Sequence, residues 1–342
     1  MANKIVEDPR IDPRIKTMFA NTPQMAGRKL DKREDLLAAM AHVAANPDPD
    51  GFGAVLEAQD FEAIAPSEGL SVSKREITSA PDGNTISLNV IRPEGDEVLP
   101  CVYYIHGGGM MSMSAYDPHF CAWGRMIAAN GVVVVLVEFR NSGTPNTIPE
   151  VAPYPAGLND CVSGLRWVLD NAGAIGADAS RVIVAGESGG GNLTLATGLA
   201  MKRDGEIDRI AGLYALCPYI KGNWTEADGG SVTANRGILL DLLVDNGALA
   251  YGIEALHAKD PLAWPGFASV DDVKGLPKVK IGVNECDPLM DEGVAFYRKL
   301  LDAGVPAQCN VAMGTIHGTE TFLVCPDISA STARDIAAFA KS

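Results

Sequence analysis

A chain of 342 residues, 47% hydrophobic and 21% charged, is long enough to bury a large core as one large or two ordinary domains. Its 28 Lys and Arg against 43 Asp and Glu leave a formal charge of −15, which repels nucleic-acid phosphates and anionic lipid headgroups and argues against either as a partner. The longest strongly apolar run, Val132–Val137, is a third of the roughly 18–20 residues a membrane span needs, and the N-terminus lacks the apolar stretch of a secretory signal.

The first seventy residues carry Pro9, Pro13 and Pro23, then a stretch from Asp31 to Ala45 whose Leu36, Leu37, Met40 and Val43 repeat at helical spacing. A second short periodic stretch runs from Phe52 to Ile64. Helices this short bury little alone and must dock on something. From Ser73 the pattern turns to strands: Lys74–Thr78 and Ile86–Ile91 flank Pro81-Asp82-Gly83-Asn84, a turn sequence, and predict an antiparallel hairpin. Strands and helices then alternate. Strands are expected at Cys101–Ile105, Val132–Phe139, Arg181–Ala185 and Ile210–Leu216, with helices at Tyr116–Asn130, Ala156–Asn171 and Gly191–Asp204 between them. Val132–Val137 is apolar without alternation, which suits a strand covered on both faces. Alternating β and α elements imply an α/β fold with a mainly parallel, doubly wound sheet. The rhythm breaks between Pro218 and Pro265, where a helical segment is expected over Gly237–Leu256, and insertions of this length serve as lids or binding surfaces. It resumes with strand Val279–Val283, helix Asp291–Ala303, strand Gln308–Ala312 and a closing helix Ser331–Lys341.

Seven cysteines are widely spaced, with no C-x-x-C pair and no Cys/His cluster at metal-ligand spacing, so no metal site is expected. Unpaired thiols fit a reducing, cytoplasmic location.

Two glycine-rich turns carry chemistry. Gly186-Glu187-Ser188-Gly189-Gly190 lies between a strand and a helix, the context that turns a G-x-S-x-G match into a nucleophile elbow. Gly186 and Gly190 keep the turn tight, and Ser188 stands at a helix N-terminus, where backbone N–H groups favour negative charge. His106-Gly107-Gly108-Gly109 follows another strand; three glycines cost backbone entropy, and a close approach of N–H groups to an oxyanion explains them, with Gly189 completing the hole. His106 and Gly107 shape that loop.

A serine needs a base. Of His42, His106, His119, His257 and His317, only His317 lies in a loop leaving the carboxyl end of a late parallel strand, where active-site rims form. The orienting acid belongs between serine and histidine. Asp287, Asp291, Glu285 and Glu292 compete; Asp291 and Glu292 fit the N-cap and first turn of the next helix, Glu285 a strand end, and Asp287 is best placed in the loop. Met110, Met111, Met113 and Tyr116, after the glycine loop, are candidates for an adaptable acyl pocket.

His106-Gly-Gly-Gly109, Gly186-Glu-Ser-Gly-Gly190, Asp287-Pro-Leu-Met-Asp-Glu-Gly293 and His317-Gly318 together resemble the hormone-sensitive-lipase-like group of α/β-hydrolases, from about Ser73 to the C-terminus. The resemblance implies an α/β-hydrolase fold with a mostly parallel eight-stranded sheet and a helical cap. The catalytic domain would be residues 71–218 and 266–342, the cap residues 1–70 and the insertion 219–265. It also implies a serine carboxylesterase acting on small esters of short-to-medium acyl length, aryl and lactone esters included. Asp287 would be the triad acid, Gly108, Gly109 and Gly189 the oxyanion hole; no cofactor is needed, and a homodimer is implied. Amide, peptide and macrolide-lactone hydrolysis use the same triad and stay open. A non-catalytic binding protein on this scaffold would lack a triad residue, and all three positions are filled. Two departures stand out: Glu187 and Gly189 replace the group's usual Asp and Ala, and Glu138-Phe-Arg-Asn-Ser142 with a longer loop to Pro155 replaces its Y-R-L-A-P-E stretch.

Overall fold

In the computed structural model, residues 3–23 and 27–342 are described; Met1, Ala2 and residues 24–26 of the expected N-terminal cap segment lie outside them. Eight strands form one sheet: β1 (Leu70–Thr78), β2 (Thr85–Pro93), β3 (Leu99–Ile105), β4 (Val133–Glu138), β5 (Ala177–Glu187), β6 (Gly212–Leu216), β7 (Lys278–Asn284) and β8 (Ala307–Ala312). Their order is β1-β2-β4-β3-β5-β6-β7-β8. β2 runs antiparallel to β1 and β4, and every later pairing is parallel. The expected hairpin is present, Thr78 facing Thr85, with Gly83 at φ 77° supplying the left-handed residue of its turn.

The run in β4 is apolar throughout because each face has its own core. Val133, Val135 and Val137 pack with Cys101, Tyr103 and Ile105 of β3 on one side. Helices Ala156–Asp170, Gly189–Arg203 and Met290–Asp302 cover that side through Leu165, Leu193 and Phe296. Val134 and Leu136 pack with Val102 and Tyr104 on the other, under helices Pro118–Ala128 and Pro326–Lys341 through Trp123 and Ile336.

The insertion differs from expectation. No single helix spans Gly237–Leu256; a 3-10 turn (Leu242–Val244) is followed by two short helices, Gly247–Tyr251 and Ile253–His257. Gly252, in an extended conformation between them, breaks the hydrogen-bond ladder. The closing helix starts at Pro326 rather than Ser331, with proline at its first position, where the missing N–H costs nothing.

The N-terminal segment docks on the insertion and on the loops after β7 and β8. Ile11, Ile15, Phe19 and Leu56 share a small core with Ile238 and Leu239 of the insertion and with Cys286, Ile316 and Phe322. Burying Ile15 and Phe19 fully is worth about 1.5–3 kcal/mol each. Polar ties to the insertion are Leu30 N–H to Asn246 Oδ1 at 2.8 Å, Arg10 Nη2 to Asn235 Oδ1 at 2.9 Å and Arg33 Nε to the Ala250 carbonyl at 3.2 Å; Arg33 Nη2 also donates to the Ser142 carbonyl, after β4, at 2.7 Å.

Candidate active site

β5 ends at Glu187 and the next helix starts at Gly189, so Ser188 alone makes the reversal, at φ 57° and ψ −118°. A non-glycine residue there costs about 1–3 kcal/mol and persists only when its surroundings hold it. They do: Ser188 N–H donates to the Leu216 carbonyl at 2.9 Å, and its own carbonyl accepts from Asn192 and Tyr219 amides at 3.0 and 3.1 Å. The flanking glycines are steric necessities. A methyl on Gly186 would lie 2.5 Å from the Ile105 carbonyl oxygen, and one on Gly190 would overlap the same oxygen. Gly189 faces the glycine loop so closely that a methyl would reach 2.8 Å from the Gly109 Cα.

The three residues expected to act together meet. His317 Nε2 lies 2.8 Å from Ser188 Oγ, and His317 Nδ1 lies 2.7 Å from Asp287 Oδ2. All of Asp287 and nearly all of His317 is buried. Burial disfavours a charged imidazole, but the Asp287 carboxylate outweighs it and lifts His317 well above its ordinary range. Asp287 Oδ1 accepts from Leu289 N–H at 2.9 Å, which aims Oδ2 at the ring. The competing acids are engaged elsewhere. Glu285 accepts from Gly314 N–H, Asp291 from Ser231 N–H, and Glu292 from Ile220 N–H and Trp224 Nε1–H.

Gly108 and Gly109 adopt φ 90° and 65° and border the same cavity as Ser188. Neither amide, nor that of Gly189, is taken by another acceptor among the described residues. Glu187 anchors this loop: Oε1 accepts from Gly107 N–H and Oε2 from the Tyr104 hydroxyl, both at 2.6 Å. Burial pushes its carboxyl up to about 8. His106 stacks on Phe139 at 4.4 Å, and its Nδ1 sits 2.9 Å from the Gly107 carbonyl, so its ring packs behind the loop and stays out of the cavity. Burial holds it below its usual range.

The cavity measures about 250 Å³ and is mostly apolar. Met111 and Met113 line it as expected, whereas Met110 and Tyr116 do not. Met110, at φ 59°, turns its side chain into the sheet core, and the Tyr116 hydroxyl donates to Ser87 Oγ at 2.9 Å beside β2. Phe52, Leu239 and Phe322 enter the lining from three distant parts of the chain, as do Tyr219 and Asp245; periodicity touched the segments of Phe52, Leu239 and Asp245, but no motif marked any of the five as a site residue. Cys217 was also unmarked. Its thiol stands with Asp287 and His317, their ligand atoms within 4.8 Å of one another, and burial keeps it protonated by pushing it above the usual thiol range. Helices long and apolar enough to cross a membrane do not occur among the described residues.

A family model described as alpha/beta hydrolase fold matches residues 102–321. The solved structure of esterase Est22 is 57% identical and covers all of both chains at a TM-score of 0.97. Brefeldin A esterase, titled a bacterial homologue of human hormone sensitive lipase, is 36% identical over 98% of this chain and 94% of its own, with a TM-score of 0.87. Carboxylesterase NlhH of Mycobacterium tuberculosis is 34% identical over 250 residues, 71% of this chain and 74% of its own. The chain therefore belongs to the alpha/beta hydrolase fold family, in the hormone-sensitive-lipase-like group that its motifs resemble.

Proposed function

We propose that this carboxylic ester hydrolase works by two-step acyl transfer, with Ser188 as nucleophile, His317 as general base and then general acid, and Asp287 as the carboxylate that orients the ring. Ser188 Oγ attacks the ester carbonyl as its proton passes to His317 Nε2; Asp287 stabilises the imidazolium that forms. The amides of Gly108, Gly109 and Gly189 receive the oxyanion, each such donor being worth about 10²–10³ in turnover. His317 then protonates the departing alkoxide, and water repeats the sequence on the acyl-enzyme. The continuous Ser188–His317–Asp287 hydrogen-bond relay carries this reading.

Substrates are small esters of short-to-medium acyl length. A cavity of about 250 Å³ falls below the roughly 300–1,000 Å³ that drug-sized ligands occupy. Est22, brefeldin A esterase and NlhH are named esterases or carboxylesterases, and a Pseudomonas putida relative at 30% identity is named an ethyl acetate hydrolase, which favours esters over amides or peptides. Residues 1–70 and 219–265 act as the cap, a role supported by Phe52, Leu239 and Asp245 in the lining. A cytoplasmic location is supported by seven unpaired cysteines, most of them buried.

The test is a series of p-nitrophenyl esters of rising acyl length on wild type and Ser188→Ala. Wild type should turn over acetate to hexanoate fastest, and the variant should lose on the order of 10⁴-fold or more. Turnover by Ser188→Ala within tenfold of wild type would overturn the mechanism, and a preference for long chains would overturn the substrate range.

A further inference from the structure

Most of the cavity wall is apolar, yet two polar side chains face it as a pair. Tyr219 and Asp245 line the same cavity as Ser188 and His317. Tyr219 is fixed relative to the nucleophile, because its N–H donates to the Ser188 carbonyl and its own carbonyl accepts from Asn192 Nδ2 at 2.9 Å. Its ring is clamped between Trp224 and Trp264, with centroids at 5.2 and 5.7 Å. Asp245 arrives from the insertion, directly after the Leu242–Val244 turn. Its Oδ2 accepts from the Tyr219 hydroxyl at 2.5 Å and from Gly247 N–H at 2.9 Å.

Hydrogen-bond accounting on this pair leaves a surplus of one kind. The single phenolic proton of Tyr219 is spent on Oδ2, so the phenol oxygen has only lone pairs to offer. Asp245 Oδ1 takes no hydrogen bond among the described residues. The structural work of the carboxylate, capping Gly247 and holding the phenol, uses Oδ2 alone. Asp245 borders the cavity with Oδ1 open to a further donor; a ligand that covers this acceptor incurs its desolvation cost unless it supplies that donor. Burial holds the carboxyl above the ordinary carboxylate range; the Tyr219 and Gly247 bonds and the charge of Lys29 oppose that shift without cancelling it.

We infer that the Tyr219–Asp245 pair makes this esterase selective for esters that carry a hydrogen-bond donor, a hydroxyl or a protonated amine, away from the scissile carbonyl. The inference rests on the reading of Ser188 as the nucleophile in this cavity. Asp245 and Tyr219 bind and select; neither takes part in bond breaking.

The test compares kcat/KM for matched esters. Ethyl 3-hydroxybutyrate against ethyl butyrate places the hydroxyl on the acyl side, and 3-hydroxypropyl acetate against propyl acetate places it on the alcohol side. For the cationic donor, 3-(dimethylamino)propyl acetate, protonated at neutral pH, is set against its carbon isostere 4-methylpentyl acetate. Wild type should favour the donor-bearing member of at least one pair by about tenfold, and the favoured pair identifies the donor and its side. Asp245→Asn can keep both bonds to Oδ2 with its amide oxygen, which turns an NH₂ donor into the cavity; the preference should then fall at least fivefold or invert. Each readout is a ratio within one enzyme, so a general loss of folded protein cancels. No preference in wild type for any pair, or a preference that survives in Asp245→Asn, would overturn the inference. Failure of the catalytic reading looks different: Ser188→Ala would then keep hydrolysing every ester in the set.

Discussion

Replacing Glu187 by alanine tests whether the glycine loop is held in place by the residue beside the nucleophile. Glu187 is 3% exposed and satisfies two buried donors at 2.6 Å, Gly107 N–H and the Tyr104 hydroxyl. Removing its carboxyl leaves both unpaired, at about 1–3 kcal/mol each, so the chain should lose roughly 2–6 kcal/mol of stability. The catalytic effect is separate. Gly107 precedes the two glycines that border the Ser188 cavity and are proposed to receive the oxyanion, and a displacement near 1 Å at a reacting centre costs on the order of 10² in rate. Glu187→Ala should therefore lower kcat on p-nitrophenyl butyrate by about 10²-fold with KM changed only a few-fold, because Glu187 is the one lining side chain truncated and the apolar ones are retained. Glu187→Gln keeps an acceptor for Gly107 N–H and should stay within about tenfold of wild type. The assay is steady-state kinetics at a temperature where circular dichroism shows each variant folded. A folded Glu187→Ala enzyme with kcat within threefold of wild type would refute the anchoring role.

Two further perturbations test how the fold is held. Asp160, fully buried, accepts from Arg140 Nε at 2.8 Å, Ser79 Oγ at 2.6 Å and Asn84 Nδ2 at 3.1 Å; Asp160→Ala removes the buried partner of Arg140, leaves it the more exposed Asp82 and Glu150, and should cost about 3 kcal/mol. Thermal melts should fall by on the order of 5–10 °C and recover in large part in Arg140→Met/Asp160→Leu; a single variant melting within 1 °C of wild type contradicts this. Burial lifts both Glu187 and Glu292 from 4.5 to about 8, so the folded chain keeps protons that the unfolded chain releases. Their contribution is full below pH 4.5 and is lost as pH rises through 8. Denaturant midpoints should fall across that window and fall less steeply in Glu292→Gln; an equal slope in the variant would argue against it.

What could be read from sequence follows the range of the physical constraint. The elbow was legible because its demands are local: Gly186 and Gly190 sit where any side chain meets the Ile105 carbonyl. Strand β4 was legible because both of its faces are buried in separate cores, which leaves no position for a polar residue until Glu138. Asp287 was legible as the best placed of four competing acids, and the family pattern strengthened that reading. What separates it from the others is which distant amides claim Glu285, Asp291 and Glu292, and those come from other segments. Met110 misled because adjacency to the glycine loop says nothing about direction; its side chain packs into the sheet core while Met111 and Met113 line the cavity. Tyr219 and Asp245 carry no motif, and the helical pattern over Gly237–Leu256 concealed that the chain turns there to bring Asp245 to the tyrosine.

The cavity draws its walls from Phe52 near one end of the chain to Phe322 near the other, and its proposed triad in the order Ser188, Asp287, His317. During synthesis the elbow and the glycine loop emerge first and stand without a base until the segment after β8 has left the ribosome. Hydrolysis by the proposed triad is thus acquired late: a chain cut before residue 317 lacks the base, and with it Phe322 of the cavity wall and the closing helix whose Ile336 covers one face of the sheet.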